Sequence, residues 1–260
     1  YNMNFYRKFL NMAKEDDIED LNDVETLNYD IVFDNVTFKY PGTDNIILHN
    51  ISFKIQNNQR IAIVGQNGAG KSTILKLICG LYIPICGDVY IKGVNTKKMG
   101  LNEIGDHLSV MFQDYQRYHL SIRENVAFGN IKAINIDDIL IKALCVAHSD
   151  LSDKYGLDQT LGHIYDGIDL SGGEWQKMAL AKMFIAESPI VLLDEPTAAI
   201  DPVSESKMYN TINEITDKKT SVIISHRLIT AKQADIILVL ENGEIIEKGS
   251  HKELTSTNTY

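Results

Sequence analysis

Gly65-Gln66-Asn67-Gly68-Ala69-Gly70-Lys71-Ser72 fits the spacing G-x-x-x-x-G-K-[ST], and the chemistry of that spacing is phosphate binding. Its glycines let backbone N–H groups converge on an anion without Cβ interference. A helix starting at the end of the loop adds a partial positive charge. Lys71 reaches the β- and γ-phosphates of a nucleoside triphosphate, the Ser72 hydroxyl is a ligand for Mg²⁺, and Thr73 contacts the α-phosphate. A second pattern is Ile190-Val191-Leu192-Leu193-Asp194-Glu195, an apolar strand ending in two carboxylates. In a parallel sheet the carboxyl ends of strands face the ligand crevice. That places Asp194 near Mg²⁺, through a water. Glu195 then stands where a base polarises water for in-line attack on the γ-phosphate. Taken alone, an acidic pair after a strand reads equally well as a helix N-cap. With the loop at Gly65 on the same chain, the catalytic reading dominates.

These residues need particular elements to hold them. Arg60–Val64 is a compact apolar strand that runs into the loop, and Ser72–Cys79 has helical spacing after it. Ile190–Leu193, Ser221–Ile224 and Ile236–Leu240 are apolar runs of strand length with helical stretches between them. Buried strands alternating with helices predict a mainly parallel α/β sheet. Upstream, Ile31-Val32-Phe33, Val36–Tyr40, Ile46–Leu48 and Ile51–Ile55 read as four short strands, with a turn at Pro41-Gly42. Residues 116–186 are mostly helical in pattern, including Ile136–Ala147 and Glu174–Ala186. Glu241-Asn242-Gly243-Glu244 is a hairpin turn.

The 260 residues hold 25 basic and 35 acidic side chains, a net charge of −10, which argues against an unaided nucleic-acid binder. Composition excludes wholesale disorder and collagen-like structure. No apolar run approaches the roughly 20 residues of a spanning helix. The three cysteines, Cys79, Cys86 and Cys145, lack zinc-ligand spacing and read as reduced thiols packed as small apolar groups. The first 30 residues carry half of the net charge. Residues 1–29 read either as a solvated tail or as a linker from something upstream, with the aromatic and basic run Phe5–Met12 as the end of a helix.

Leu170-Ser171-Gly172-Gly173-Glu174-Trp175-Gln176 decides the class. The chain resembles the nucleotide-binding domain of an ATP-binding-cassette (ABC) protein from about Asp30 to Leu254, with the motifs in family order. Glu174 stands where the family's LSGGQ-like signature most often has Gln. The resemblance implies a P-loop NTPase (RecA-like) α/β core, with an N-terminal antiparallel β-subdomain and an inserted α-helical subdomain at about 116–186. Ser-Gly-Gly before a helix is physically a second anion-binding helix start, or simply a helix cap. In the family this signature covers the γ-phosphate held by the partner domain, which puts Ser171, Gly172, Gly173 and Glu174 on a second chain's ATP. The resemblance further implies that Tyr40 stacks on adenine. Gln113 becomes the Q-loop glutamine that contacts Mg²⁺ and the attacking water and faces the transmembrane partner. His226 becomes the switch histidine holding the γ-phosphate and Glu195, and Asp201 belongs to a loop crossing the dimer. Without it, a lone Tyr at a strand end is more often a core or edge residue and a lone His is more often structural.

Ile31–Tyr40, Ser121–Gly129 and Glu241–Leu254 are similar to the exporter-type domains of this family. In those exporters a transmembrane domain precedes the ATPase. Trp175 in the signature is similar to exporters of lantibiotics and related bacteriocin peptides. One departure is Tyr165-Asp166-Gly167, where exporters often have a glutamate that contacts the membrane domain. The expectation is an ATPase at the cytoplasmic face of the plasma membrane that hydrolyses ATP with Mg²⁺. It would pair with a second such domain and drive export through attached membrane domains, with no nucleic-acid partner expected from its acidic charge. The competing readings are a soluble ABC ATPase acting on DNA or the ribosome, and a non-catalytic nucleotide-binding scaffold. The first calls for a coiled-coil insertion or tandem cassettes, which this chain lacks. The second conflicts with active-type residues at every catalytic position.

Overall fold

The computed structural model describes residues 29–162, 167–197 and 202–256. The chain opens with β1 (Tyr29–Lys39) and β2 (Ile46–Gln56), paired antiparallel. β3 (Arg60–Gly65) leads into α1 (Lys71–Ile78), followed by β4 (Cys86–Ile91), β5 (Val94–Asn95), α2 (Leu101–His107) and β6 (Leu108–Met111). Next come α3 (Ile122–Ala127), α4 (Asp137–Val146), α5 (Leu151–Tyr155) and α6 (Gly172–Ile185). β7 (Ile190–Asp194), α7 (Pro202–Thr216), β8 (Thr220–Ile224), α8 (Leu228–Gln233), β9 (Ile236–Glu241), β10 (Glu244–Gly249) and α9 (His251–Ser256) complete it.

Two sheets result. The first is antiparallel in the order β2-β1-β4-β5, and the second runs β10-β9-β3-β8-β7-β6. All pairs of the second sheet are parallel except the β9–β10 hairpin. Asn242 and Gly243, at φ 48° and 80°, make the tight turn of that hairpin, where the sequence placed it. The parallel strands are covered on both faces. Ile190 and Leu192 pack with Ile63, Ile224, Leu75 of α1 and Phe33 and Phe53 of the antiparallel sheet. Val191 and Leu193 point the other way, into a core with α3, α4, α6 and α7. Each such fully buried side chain contributes about 1.5–3 kcal/mol.

The four short strands expected upstream are two long ones. Apolar alternation breaks between Phe33 and Val36, and again between Leu48 and Ile51. Sequence periodicity reads these breaks as strand ends. Each is a β-bulge, where two residues oppose one: Asp34 and Asn35 face Ser52, and His49 and Asn50 face Thr37. Asn35 and Asn50 both sit at φ 49°, a conformation asparagine tolerates. Their N–H groups donate to Ser52 Oγ at 2.9 Å and Thr37 Oγ1 at 3.1 Å. The extra residue keeps Phe33, Val36, Phe38, Leu48 and Ile51 on the buried face.

Residues 116–186 are helical only in part. Between α5 and α6 the described residues form turns and the isolated bridges Ser121↔Thr160 and Leu161↔Ile168. The cysteine reading holds for Cys79, which is buried. Cys86 and Cys145 are exposed free thiols, because they fall on solvent-facing positions of β4 and α4. No helix among the described residues is long and apolar enough to cross a membrane.

Candidate nucleotide site

The loop between β3 and α1 is shaped by its glycines. Gly65 has φ 151°, and a Cβ there would lie 2.0 Å from the Leu240 carbonyl oxygen of β9. Gly70 caps α1 at φ 102°, with Leu48 Cδ2 2.6 Å from where its Cβ would be. Both positions require the absence of a side chain. Ala69 is buried behind the loop against the core. The first turn of α1 holds no acidic residue, so its N-terminus keeps its attraction for anions. Lys71 Nζ folds back over the loop and donates to the carbonyls of Gly65 (2.9 Å) and Gln66 (2.8 Å). Burial lowers its pKa, and the charges of Glu195 and Asp194 oppose that shift.

Four carboxyl strand ends meet at this loop: Gly65 at the end of β3, Gln113 after β6, Asp194 and Glu195 at β7, and His226 after β8. Asp194 is buried at the end of its strand, and burial raises its pKa while a hydrogen bond from the Ser72 side chain pulls it down. Among the described residues neither acid caps a helix, since the next described helix starts at Pro202. Glu195 adopts φ 49°, and its N–H donates to the Ile224 carbonyl at 2.9 Å. Its carboxylate is held at both oxygens. Gln113 Nε2 donates to Oε2 at 3.2 Å, and His226 Nε2 lies 2.9 Å from Oε1.

Tyr40 stands at the far end. Its hydroxyl is 2.9 Å from Thr73 Oγ1, its ring meets Phe38 and Tyr82 edge-on, and Lys76 Nζ lies 5.6 Å from its centre. A cavity of about 510 Å³ joins Tyr40, Asn67, Gly68, Gly70, Lys71, Ser72, Thr73, Gln113, Glu195 and His226. Residues from five separate segments thus line one space, in a volume suited to a small organic ligand. Ser72 and Asp194 offer hard oxygen donors in contact with each other, a donor set that fits Mg²⁺.

Ser171, Gly172, Gly173 and Glu174 do not line this cavity. They form the N-terminus of α6, where Ser171 is the N-cap of a capping box. Ser171 Oγ accepts the Glu174 N–H at 3.3 Å, and the Glu174 carboxylate accepts the Ser171 N–H at 2.7 Å. Glutamate here acts as the capping acceptor that a glutamine would supply. Asp166 and Asp201 lie outside the described residues.

Two side chains beside the site were passed over in the sequence. Tyr115 donates its hydroxyl to the Gly172 carbonyl at 3.1 Å, and Gln176 Nε2 donates to the Pro196 carbonyl. Tyr115 carried no signal of its own. Gln176 did carry one, as a polar residue among the apolar positions Trp175, Met178 and Ala179.

The family model described as ABC transporter matches residues 48–198. The chain belongs to the ABC transporter family. It is 36% identical to the subtilin transport ATP-binding protein of Bacillus subtilis, over 99% of this chain and 43% of that protein. It is also 36% identical to the nisin transport ATP-binding protein of Lactococcus lactis subsp. lactis, over 87% of this chain and 38% of the relative. A solved structure of a bacterial Atm1-family ABC exporter with ATP bound matches with a TM-score of 0.79 and 32% identity, covering 98% of this chain and 45% of that one. This ABC chain therefore spans less than half the length of these relatives.

Proposed function

We propose that this ABC chain binds ATP with Mg²⁺ and hydrolyses it, powering export of a substrate through a membrane domain. The observation that carries the reading is the clamp on Glu195 by Gln113 and His226 at the open end of a phosphate loop. ATP lies with its triphosphate in the Gly65–Ser72 loop and its base on Tyr40. Lys71 neutralises charge on the β- and γ-phosphates. Glu195 orients a water in line with the γ-phosphate and takes its proton as the P–O bond to ADP breaks, giving ADP and inorganic phosphate. Gln113 and His226 keep the carboxylate aimed. Mg²⁺, held by Ser72 with Asp194 and Gln113 close by, supplies charge neutralisation on the phosphate oxygens.

The site is open where the γ-phosphate ends. Ser171, Gly172, Gly173 and Glu174 of a second copy close it in a head-to-tail dimer, with the loop at Asp201 crossing the seam. Tyr118 and Phe128, exposed with ring centres 4.8 Å apart beside the Gln113 segment, form an apolar seat suited to the membrane domain. The subtilin and nisin transport relatives support a peptide cargo and a place on the cytoplasmic face of the plasma membrane. Residues 30–260 are the nucleotide-binding unit in this reading, and residues 1–29 its connector. Transport-protein relatives and the acidic charge both oppose the DNA or ribosome alternative.

Replacing Glu195 by Gln keeps the size and one acceptor oxygen of the side chain and removes the base. The E195Q chain is expected to elute as an ATP-bound dimer on a sizing column with Mg²⁺, with phosphate release near background. Elution as a monomer with ATP overturns the dimer reading, and wild-type phosphate release by E195Q removes Glu195 from its role.

A further inference from the structure

Glu195 occupies a left-handed backbone conformation that a side chain with a Cβ adopts only when its surroundings impose it. Its N–H is fixed on one side by the Ile224 carbonyl. On the other side the carbonyl of Pro196 is fixed by Gln176 Nε2, from the second turn of α6. Gln176 is only 2% exposed, and its Oε1 has no hydrogen-bond partner among the described residues. An apolar side chain would pack this helix without leaving a buried acceptor unpaired. Packing alone therefore does not explain the amide, whereas holding the residue after Glu195 does. The start of the same helix is tied to the Gln113 segment by the bond from Tyr115 to the Gly172 carbonyl.

We infer that α6 is a rigid link between two nucleotide sites, with Gln176 and Tyr115 as positioning residues. The inference rests on the proposed dimer. The exposed end of α6 meets the partner's γ-phosphate, while Gln176, one turn further on, sets the backbone of Glu195 for this chain's own ATP. Tyr115 locks that exposed end to the segment whose Gln113 holds the Glu195 carboxylate. Loss of either tie is expected to uncouple the backbone and carboxylate of Glu195 from the engagement of α6 with the partner's ATP.

The test uses Gln176→Met and Tyr115→Phe, which keep size and remove one hydrogen bond each, outside the nucleotide cavity. Steady-state Mg²⁺-ATPase is measured against ATP concentration, together with ADP affinity of the monomer and thermal melting. Each variant is expected to lose about fivefold or more in kcat and to bring the Hill coefficient down from above one to one. ADP affinity stays within about twofold and melting stays close to wild type. Gln176→Glu adds a readout that packing does not move. Its carboxyl donates to Pro196 only when protonated, so its kcat relative to wild type climbs as pH falls from about 8.5 to about 6. Wild-type kcat and Hill coefficient in Gln176→Met or Tyr115→Phe overturn the inference, and so does ADP affinity that falls in step with kcat. The E195Q dimer separates this failure from that of the dimer reading: if it forms, only the link is lost, and if it does not, both fall.

Discussion

Single side chains in the nucleotide cavity have separable tasks, and Tyr40 shows this best. Its ring is braced edge-on by Phe38 and Tyr82, while its hydroxyl is bonded to Thr73, the residue proposed for the α-phosphate. Stacking of a base on an aromatic face is worth about 1–3 kcal/mol. Removing the ring in Tyr40→Ala is therefore expected to weaken ATP binding by roughly 5- to 150-fold. Tyr40→Phe keeps the face and loses only the hydroxyl contact, so its affinity should stay within about threefold, since a part-exposed neutral hydrogen bond is worth little net. Fluorescent-nucleotide titration of both variants decides the matter. Equal losses in the two would show that the hydroxyl, rather than the face, carries the interaction.

At the scale of elements, α6 runs through the helical layer and is buried along most of its length, which leaves a basic residue in it poorly solvated. Lys182 is that residue. Burial brings its pKa down from 10.5 to about 8, with its Nζ 5.1 Å from the centre of the Tyr118 ring. Below about 8 the lysine is charged in both the folded and unfolded states, and the folded state bears the whole desolvation penalty. Between about 8 and 10.5 the unfolded chain binds the proton more tightly, so this group makes stability rise with pH. Lys182→Met removes the penalty. It is expected to stabilise the chain by about 1–3 kcal/mol at pH 7, an advantage that shrinks towards pH 10.5. Urea titrations of both proteins across that range check it, and a constant difference would assign the effect to packing. The same helix shows what the sequence could convey. Its start was legible to within two residues, because Ser171 and Glu174 are spaced as a capping box. The phosphate loop, the parallel strands and the Asn242-Gly243 turn were legible for the same reason, since each depends on contiguous residues. The bulges at Asn35 and Asn50 were not, because an extra residue looks like a strand end until a partner strand is present to face it. The tie from Gln176 to Pro196 spans 20 residues between separate elements, so the polar Gln176 among apolar neighbours signals a buried bond but nothing local names its partner.

On the scale of the whole molecule, the antiparallel sheet must stay fixed to the parallel one, because Tyr40 and the phosphate loop belong to different sheets yet bound one cavity. The main bond between them is hydrophobic, as a single core runs from Phe33 and Phe53 through Leu75 of α1 to Leu192 and Ile224. A polar fastener lies at its edge. Asp30 on β1 is 2% exposed, accepts the Thr220 hydroxyl from β8 and pairs with Lys92 beyond β4. Asp30→Ala strips both partners of their acceptor. Thr220 keeps a long contact to the Gln56 carbonyl at 3.4 Å, and Lys92 is exposed enough to find water. The expected loss is therefore about 2 kcal/mol, below the 3–5 kcal/mol typical of breaking a fully buried pair. Trp175, the one tryptophan of the chain, sits on the opposite face of the parallel sheet, in the helical core. If the two sheets and the helical layer unfold as one unit, Asp30→Ala lowers the urea midpoint by the same amount in tryptophan fluorescence and in far-ultraviolet circular dichroism. A fluorescence midpoint that stays in place while the dichroism midpoint falls would mean that the antiparallel sheet detaches first. The Tyr40 end of the cavity would then open without disturbing the phosphate loop, and nucleotide affinity would drop well below the urea concentration that unfolds Trp175's surroundings.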